Sequence, residues 1–265
     1  MRRWTGAALL RIWTEDLGID LAGVLDEGQV VSLWQAGKSG LQFFHPIVTG
    51  DARLYARLRR LKWYLQPDRW EFREAARHIA PADRVLDLGA GEQPFRAFVP
   101  PGHYAAFDPF TEASALPAAR YDVVCAFQVL EHVADPLAFV TAAREWLAPG
   151  GRLFLGVPNR ESYLAGLRDF PLDLPPHHVT RWSGQALEAL AQAAGLRVEA
   201  IASSPLEAWE APLYRMARVE RLLPQPAEGR SRGARVCAYV VARALSVLPL
   251  PRSVPGGALL LRARI

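Results

Sequence analysis

The order of apolar and polar positions divides the chain into three stretches. Residues 1–80 are rich in aromatics, among them Trp4, Trp13, Trp34, Phe44, Tyr55, Trp63, Tyr64 and Trp70, and DARLYARLRRLKWYL repeats its apolar side chains at helical spacing. This stretch is expected to form an N-terminal helical cap. Across residues 81–204 short apolar runs alternate with helical segments: RVLDLGAG, HYAAFDPF, YDVVCAFQVL and GGRLFLGVPN, then SGQALEALAQAAG with Ser183 as its N-cap, then LRVEAIAS. Runs that are apolar throughout and end in Gly, Asp or Pro suit a parallel sheet covered by helices on both faces. A doubly wound α/β sheet is therefore predicted. In residues 205–265 two helix-like segments, EAWEAPLYRMARVERLL and GARVCAYVVARALSVL, precede GALLLRARI. That order reads as a helical insertion followed by a strand closing the same sheet.

The first strand ends in Asp87-Leu88-Gly89-Ala90-Gly91. Glycines at a strand-to-helix turn let the main chain approach a ligand, and open α/β sheets bind ligands at the carboxyl ends of their strands. Glu92, Gln93 and Pro94 follow, so the third glycine of a dinucleotide fingerprint is missing and an acid stands where a pyrophosphate needs donors. A cofactor with a cationic centre and no phosphate suits this turn better. Asp108 ends the next run, spaced to accept hydrogen bonds from the two hydroxyls of an adenosine ribose. The third run ends at Gln128 to His132, and Pro149-Gly150-Gly151 is expected to stop the following helix and turn the chain into the next strand.

RVLDLGAG, FDP, YDVVCAFQVLEHV and LAPGGRLFLGVPN, in that order and spacing, resemble the class I S-adenosylmethionine-dependent methyltransferases, specifically their broad small-molecule branch. FFHPIVTGD, PPHHVTRWS and GALLLRARI resemble features of one bacterial branch of that family, the last as its closing antiparallel strand. The resemblance implies a seven-stranded, mostly parallel Rossmann-like sheet and S-adenosylmethionine as cofactor. It implies that Asp87, Gly89 and Gly91 line the methionine part, that Asp108 holds the ribose, and that Gln128, Val129 and Leu130 flank the sulfonium and the incoming acceptor. Residues 109–120 are too few for the usual helix and third strand carrying the adenine-binding acid, so TEASALPAAR must do that work in short form, with Glu112 or Ser114 as the contact.

Methyl transfer from a sulfonium is an in-line displacement in which alignment does most of the work, and a base is needed only where the acceptor loses a proton. His132, beside Glu131 and near the expected methyl position, is one candidate base; the alternative is that the pair shapes its loop. His178 is the second candidate base, and with His177 and Trp182 it is expected on the substrate side, unless these residues only lock their proline-rich loop. Trp63, Tyr64 and Trp70, Tyr64 foremost, are candidates to face the sulfonium unless they only pack the cap, and Arg57, Arg59 and Lys62 are candidates to meet an anionic acceptor unless they form a solvated helix face. No histidine or cysteine spacing is diagnostic of a metal, and Ala36 and Ser39 stand where some relatives carry paired cysteines.

Composition narrows the alternatives. Hydrophobic residues make up 51% and charged residues 22%, which argues against disorder. The net charge of +4 is spread over segments that also carry acids, so no nucleic-acid footprint is expected, while contact with an anionic membrane surface stays open. Two cysteines, no signal-peptide core and no membrane-spanning run point to a cytoplasmic protein, monomeric or homodimeric, acting on a small molecule. Oxygen is the favoured acceptor atom, on a sugar, a glycolipid precursor or a natural product. The competing reading is a methyltransferase-like binding protein without catalysis.

Overall fold

Six of the apolar runs form one sheet in the computed structural model, which describes residues 2–111, 119–223, 231–245, 249–251 and 253–265. They are β4 (Val85–Leu88), β5 (Tyr104–Phe107), β6 (Tyr121–Phe127), β7 (Leu147–Pro158), β9 (Arg197–Pro205) and β10 (Pro255–Arg264), in the order β5-β4-β6-β7-β10-β9. Pairs β5-β4, β4-β6 and β6-β7 are parallel. β10 runs against β7, since Ile265 N donates to Gly151 O at one end and Asn159 N to Gly257 O at the other. The described residues supply six of the seven strands expected, and Glu112 and Ser114, the expected adenine contacts, lie outside the described residues.

The chain divides into two compact units. One comprises Asp51–Val157, Gly184–Ala202 and Ala258–Ile265 and holds the six-stranded sheet with α2 (Ala52–Leu58), α3 (Trp70–Ala76), α4 (Pro136–Glu145) and α5 (Gly184–Ala193). Burial of Phe72, Phe95 and Phe127 anchors α3 to the sheet, with ring centroids 4.7 to 5.4 Å apart. Aromatic contacts at this spacing add to the area they bury. Pro149-Gly150-Gly151 does not separate α4 from β7 as expected. Leu147 already pairs with Tyr121, and the next pair is Arg152 with Val123, so Ala148 to Gly151 form an irregular bulge within β7 with Gly150 at φ 75°.

The other unit comprises Met1–Gly50, Pro158–Ser183 and Ser203–Gly257. Residues 1–50 are not the helical cap expected of them. Apart from α1 (Gly6–Leu17) they supply β1 (Arg2–Thr5), β2 (Val30–Gln35) and β3 (Gln42–His45), and β8 (Thr180–Arg181) completes an antiparallel sheet in the order β1-β2-β3-β8. The aromatics of this region are strand and core residues: Trp4 packs against Phe44 at 5.6 Å, and Trp34 is exposed. α1 starts where Thr5 Oγ1 accepts from Ala8 N, ends at Gly18 in the left-handed conformation, and buries Leu9, Ile12 and Trp13 at helical spacing. The expected insertion is present as α6 (Ala211–Leu222) and α7 (Arg232–Ala244). α6 covers Tyr163 and Leu167, and α7 packs on it through Ala238 and Ala242. Arg235 ties α7 to α1 through Glu15 Oε2 at 2.6 Å and Asp16 Oδ1 at 3.0 Å.

Candidate functional site

At the carboxyl end of β4 the chain leaves the sheet through Gly89 (φ 72°) and Gly91 (φ 51°), and the two glycines serve different needs. A Cβ on Gly89 would lie 2.5 Å from Val129 Cγ2, so the close approach of the β4 and β6 ends admits no side chain there. A Cβ on Gly91 would meet no atom within 4 Å: its conformation favours glycine, and the space beside it is open.

Asp108, just past β5, is buried and accepts two main-chain hydrogen bonds, from Gly91 N to Oδ2 at 2.9 Å and from Phe110 N to Oδ1 at 2.8 Å. One carboxylate thus ties the glycine turn to the first residues after β5. Each oxygen keeps a further lone pair for a ligand hydroxyl. Asp87 is placed differently. Its side chain lies among β5 and β6, accepting from Tyr104 Oη at 2.7 Å, with Cys125 Sγ 3.6 Å away. Burial pushes its carboxyl up to about 7, against the opposing hydrogen bonds from Tyr104 and Cys125, and the Cys125 thiol is itself pushed up by burial and by Asp87.

The end of β6 supplies the third wall. Gln128 takes φ 57°, unusual for a residue with a side chain, and is held by Gln128 N to Gly156 O at 2.7 Å and Nε2 to Glu71 Oε1 at 3.0 Å. Val129 leads into a short 3-10 turn of Leu130, Glu131 and His132. His132 Nε2 lies 3.8 Å from the buried Glu131 Oε1, and the imidazole meets the Tyr55 ring edge-on with centroids 5.8 Å apart. Tyr55 stacks on Phe110 at 5.0 Å, and burial raises both it and Tyr64, with the Glu131 charge adding to each. Arg59 is engaged with Glu92 at 3.5 Å and Phe110 O at 3.3 Å. Trp63 is exposed, and Trp70 packs on the core.

Gly89, Gly91, Asp108 and Gln128 to His132 therefore meet at one end of the six-stranded sheet. Tyr55, Phe110 and Glu71 complete this end and were not singled out from sequence. The buried acid in WEFREAA was the available signal for Glu71; the contacts of Tyr55 and Phe110 have none.

The remaining candidates belong to the other unit. His177 Nδ1 lies 2.8 Å from Leu172 O, and its ring stacks on His178 at 4.7 Å with Trp13 at its edge. His178 Nδ1 is 3.3 Å from Asp173 Oδ1. Burial pushes the Asp173 carboxyl up to about 6 although Arg181, 2.8 Å away, pulls it down. Trp182 is buried and donates from Nε1 to Thr180 Oγ1 at 3.0 Å. Ala36 and Ser39 sit in the β2–β3 turn, where Ser39 Oγ accepts from Leu41 N. Among the described residues no helix is long and apolar enough to cross a membrane.

A family model described as a methyltransferase domain matches residues 54–201. The chain is 56% identical over 52 residues to a ubiquinone biosynthesis O-methyltransferase of Cereibacter sphaeroides, a match covering 19% of this chain and 21% of that protein. It is 40% identical over 84 residues to a probable S-adenosylmethionine-dependent methyltransferase of Mycolicibacterium smegmatis, covering 32% of each. The chain thus spans between a fifth and a third of the length of these relatives. A crystal structure of a SAM-dependent methyltransferase from Archaeoglobus fulgidus aligns with 82% of this chain and 95% of that one, at 18% identity and a TM-score of 0.45.

Proposed function

This chain belongs to the methyltransferase domain family, and from that premise we propose that it transfers the methyl group of S-adenosylmethionine to an oxygen of a small-molecule acceptor. The observation that carries the reading is the Gly89–Gly91 turn, open beside Gly91 and tied to the buried Asp108.

The residues present fit that cofactor. Gly91 leaves the main chain uncovered for its methionine part, Gly89 lets the ends of β4 and β6 close up beside it, and Asp108 offers acceptor capacity to two ribose hydroxyls. Glu92 leaves the turn unsuited to a pyrophosphate. Asp87 acts from beneath, by fixing the strand end through Tyr104. Gln128, Val129 and Leu130 flank the sulfonium. When bound, the cofactor supplies an electrophilic methyl on a cationic sulfur. The protein's share is alignment, with His132 accepting a proton from an acceptor hydroxyl while Tyr55 fixes its ring. His177, His178 and Trp182 meet the acceptor, and His178 is the second candidate for the base. A sugar, a glycolipid precursor or a natural product suits this chemistry, and the likeness to an enzyme named for O-methylation favours oxygen. Two cysteines in 265 residues fit work in the reducing cytoplasm, as a monomer or homodimer.

Calorimetric titration with S-adenosylmethionine, S-adenosylhomocysteine and NADH tests the reading. Micromolar binding of the two sulfur nucleosides is expected, at least about tenfold weaker in Asp108→Ala, with none for NADH. Absence of nucleoside binding would overturn it, and binding without turnover on any hydroxylated acceptor would leave a binding protein.

A further inference from the structure

The unit with the four-stranded sheet contains a cavity of about 400 Å³. Arg2 of β1, Arg181 of β8, and Arg160 and Arg168 of the intervening segment stand on its wall, and Asp173 is the one acid among the described lining residues. Four guanidinium groups around one space repel one another. Arg2 is brought down to about 10 by burial, with Arg168 and Arg181 adding to the fall and Asp169, paired at 2.6 Å, opposing it. Arg160 is lowered by burial and then by Arg181, against Asp173 and Glu161. Glu220 faces the group as well, accepting from Arg168 N at 3.4 Å.

These arginines are incompletely used. Arg181 spends Nη2 on Asp173, while its Nε is buried with no acceptor among the described residues. Arg160 and Arg168 make no side-chain hydrogen bond or ion pair among the described residues. On the same wall Gln42 gives its Nε2 to Gln35, and its buried Oε1 has no donor among the described residues. A buried donor or acceptor left without a partner costs about 1–3 kcal/mol. Neither of these two atoms is open to the cavity, so an occupant meets the guanidinium groups of Arg160 and Arg168, which call for acceptor oxygens carrying negative charge. Guanidinium forks match phosphate oxygens in geometry as well as charge, and the cavity is larger than a phosphoryl group alone requires.

We propose that this cavity binds the phosphate monoester of a small molecule, with Arg160 and Arg168 donating to the phosphoryl oxygens. His178 and Trp182, proposed above to meet the acceptor, line the same cavity; binding of the ester is read without methyl transfer, so the assignment stands whether or not that reading does.

Titration with glycerol 3-phosphate, with glycerol as control, tests it on the full chain. Saturable binding is expected for the ester alone. In the double variant Arg160→Gln, Arg168→Gln, which removes no side-chain hydrogen bond among the described residues, affinity should fall at least about tenfold. The melting temperature should stay within about 2 °C of the parent and S-adenosylmethionine affinity should be unchanged. Lack of saturation at about 10 mM, equal binding of glycerol, or equal binding by the variant would overturn the assignment. So would capture by phosphatidic acid vesicles without binding of the free ester, which would move the same chemistry to a lipid headgroup.

Discussion

The cofactor end of the six-stranded sheet is shaped chiefly by main chain, whereas the cavity of the four-stranded unit is shaped by charged side chains. Gly89, Gly91 and the left-handed Gln128 set the first, and Asp108 joins two loops by accepting from their N–H groups. In the second, arginines from β1, β8 and the segment before β8 converge although Arg2 and Arg181 stand at opposite ends of the sheet's chain order. A site of the first kind fails when a turn is changed. A site of the second kind weakens charge by charge and leaves its fold intact.

Gly89→Ala is the strongest way to break this contrast. The added methyl is driven against Val129 in a backbone conformation that alone costs about 1–2 kcal/mol, so S-adenosylmethionine affinity should drop by more than about 100-fold. Gly91→Ala carries only the backbone term and should cost roughly tenfold. Glycerol 3-phosphate affinity should be unchanged in both, and a parallel loss in calorimetry would contradict the independence of the two sites.

Buried acids sharpen the comparison. Asp87 holds its proton up to about pH 7 in the folded state and only to about 4 in the unfolded chain. The folded form therefore binds more protons between these values, and stability falls as pH rises through that window, by on the order of 4 kcal/mol. In Asp87→Asn thermal melts from pH 4 to 8 should lose this slope and show a gain near pH 8. Asp173, raised to about 6, has Arg181 against it. Its folded value still lies above the unfolded one of about 4, so Asp173 adds a fall of the same sign between these values, and Asp173→Asn should remove it in the same melts. The smallest effect is expected from Tyr104→Phe. Loss of its hydrogen bond should move the Asp87 titration upward and cost about 1 kcal/mol in denaturant melts.

The same division explains what was legible in the chain. β4, β6 and β7 are apolar runs closed by turn residues, and Asp87 to Gly91 is contiguous, so local pattern alone reveals these elements. Strands β1 to β3 are four to six residues long with exposed Val30 and Trp34, and nearby aromatics mask their period of two. The β7 bulge looks like a stop because Pro-Gly-Gly carries the same signal in either role. The Tyr55 ring against His132, Glu71 under Gln128 and the four arginines depend on contacts between residues far apart in sequence, which periodicity does not encode.

The double acceptance at Asp108 has a kinetic consequence. The glycine turn and the first residues after β5 are held by the protein's own amides, so a nucleoside entering here finds these donors and acceptors already placed and pays little ordering entropy of its own. Analogues that differ only at the ribose should then arrive at similar rates and be sorted by how long they stay.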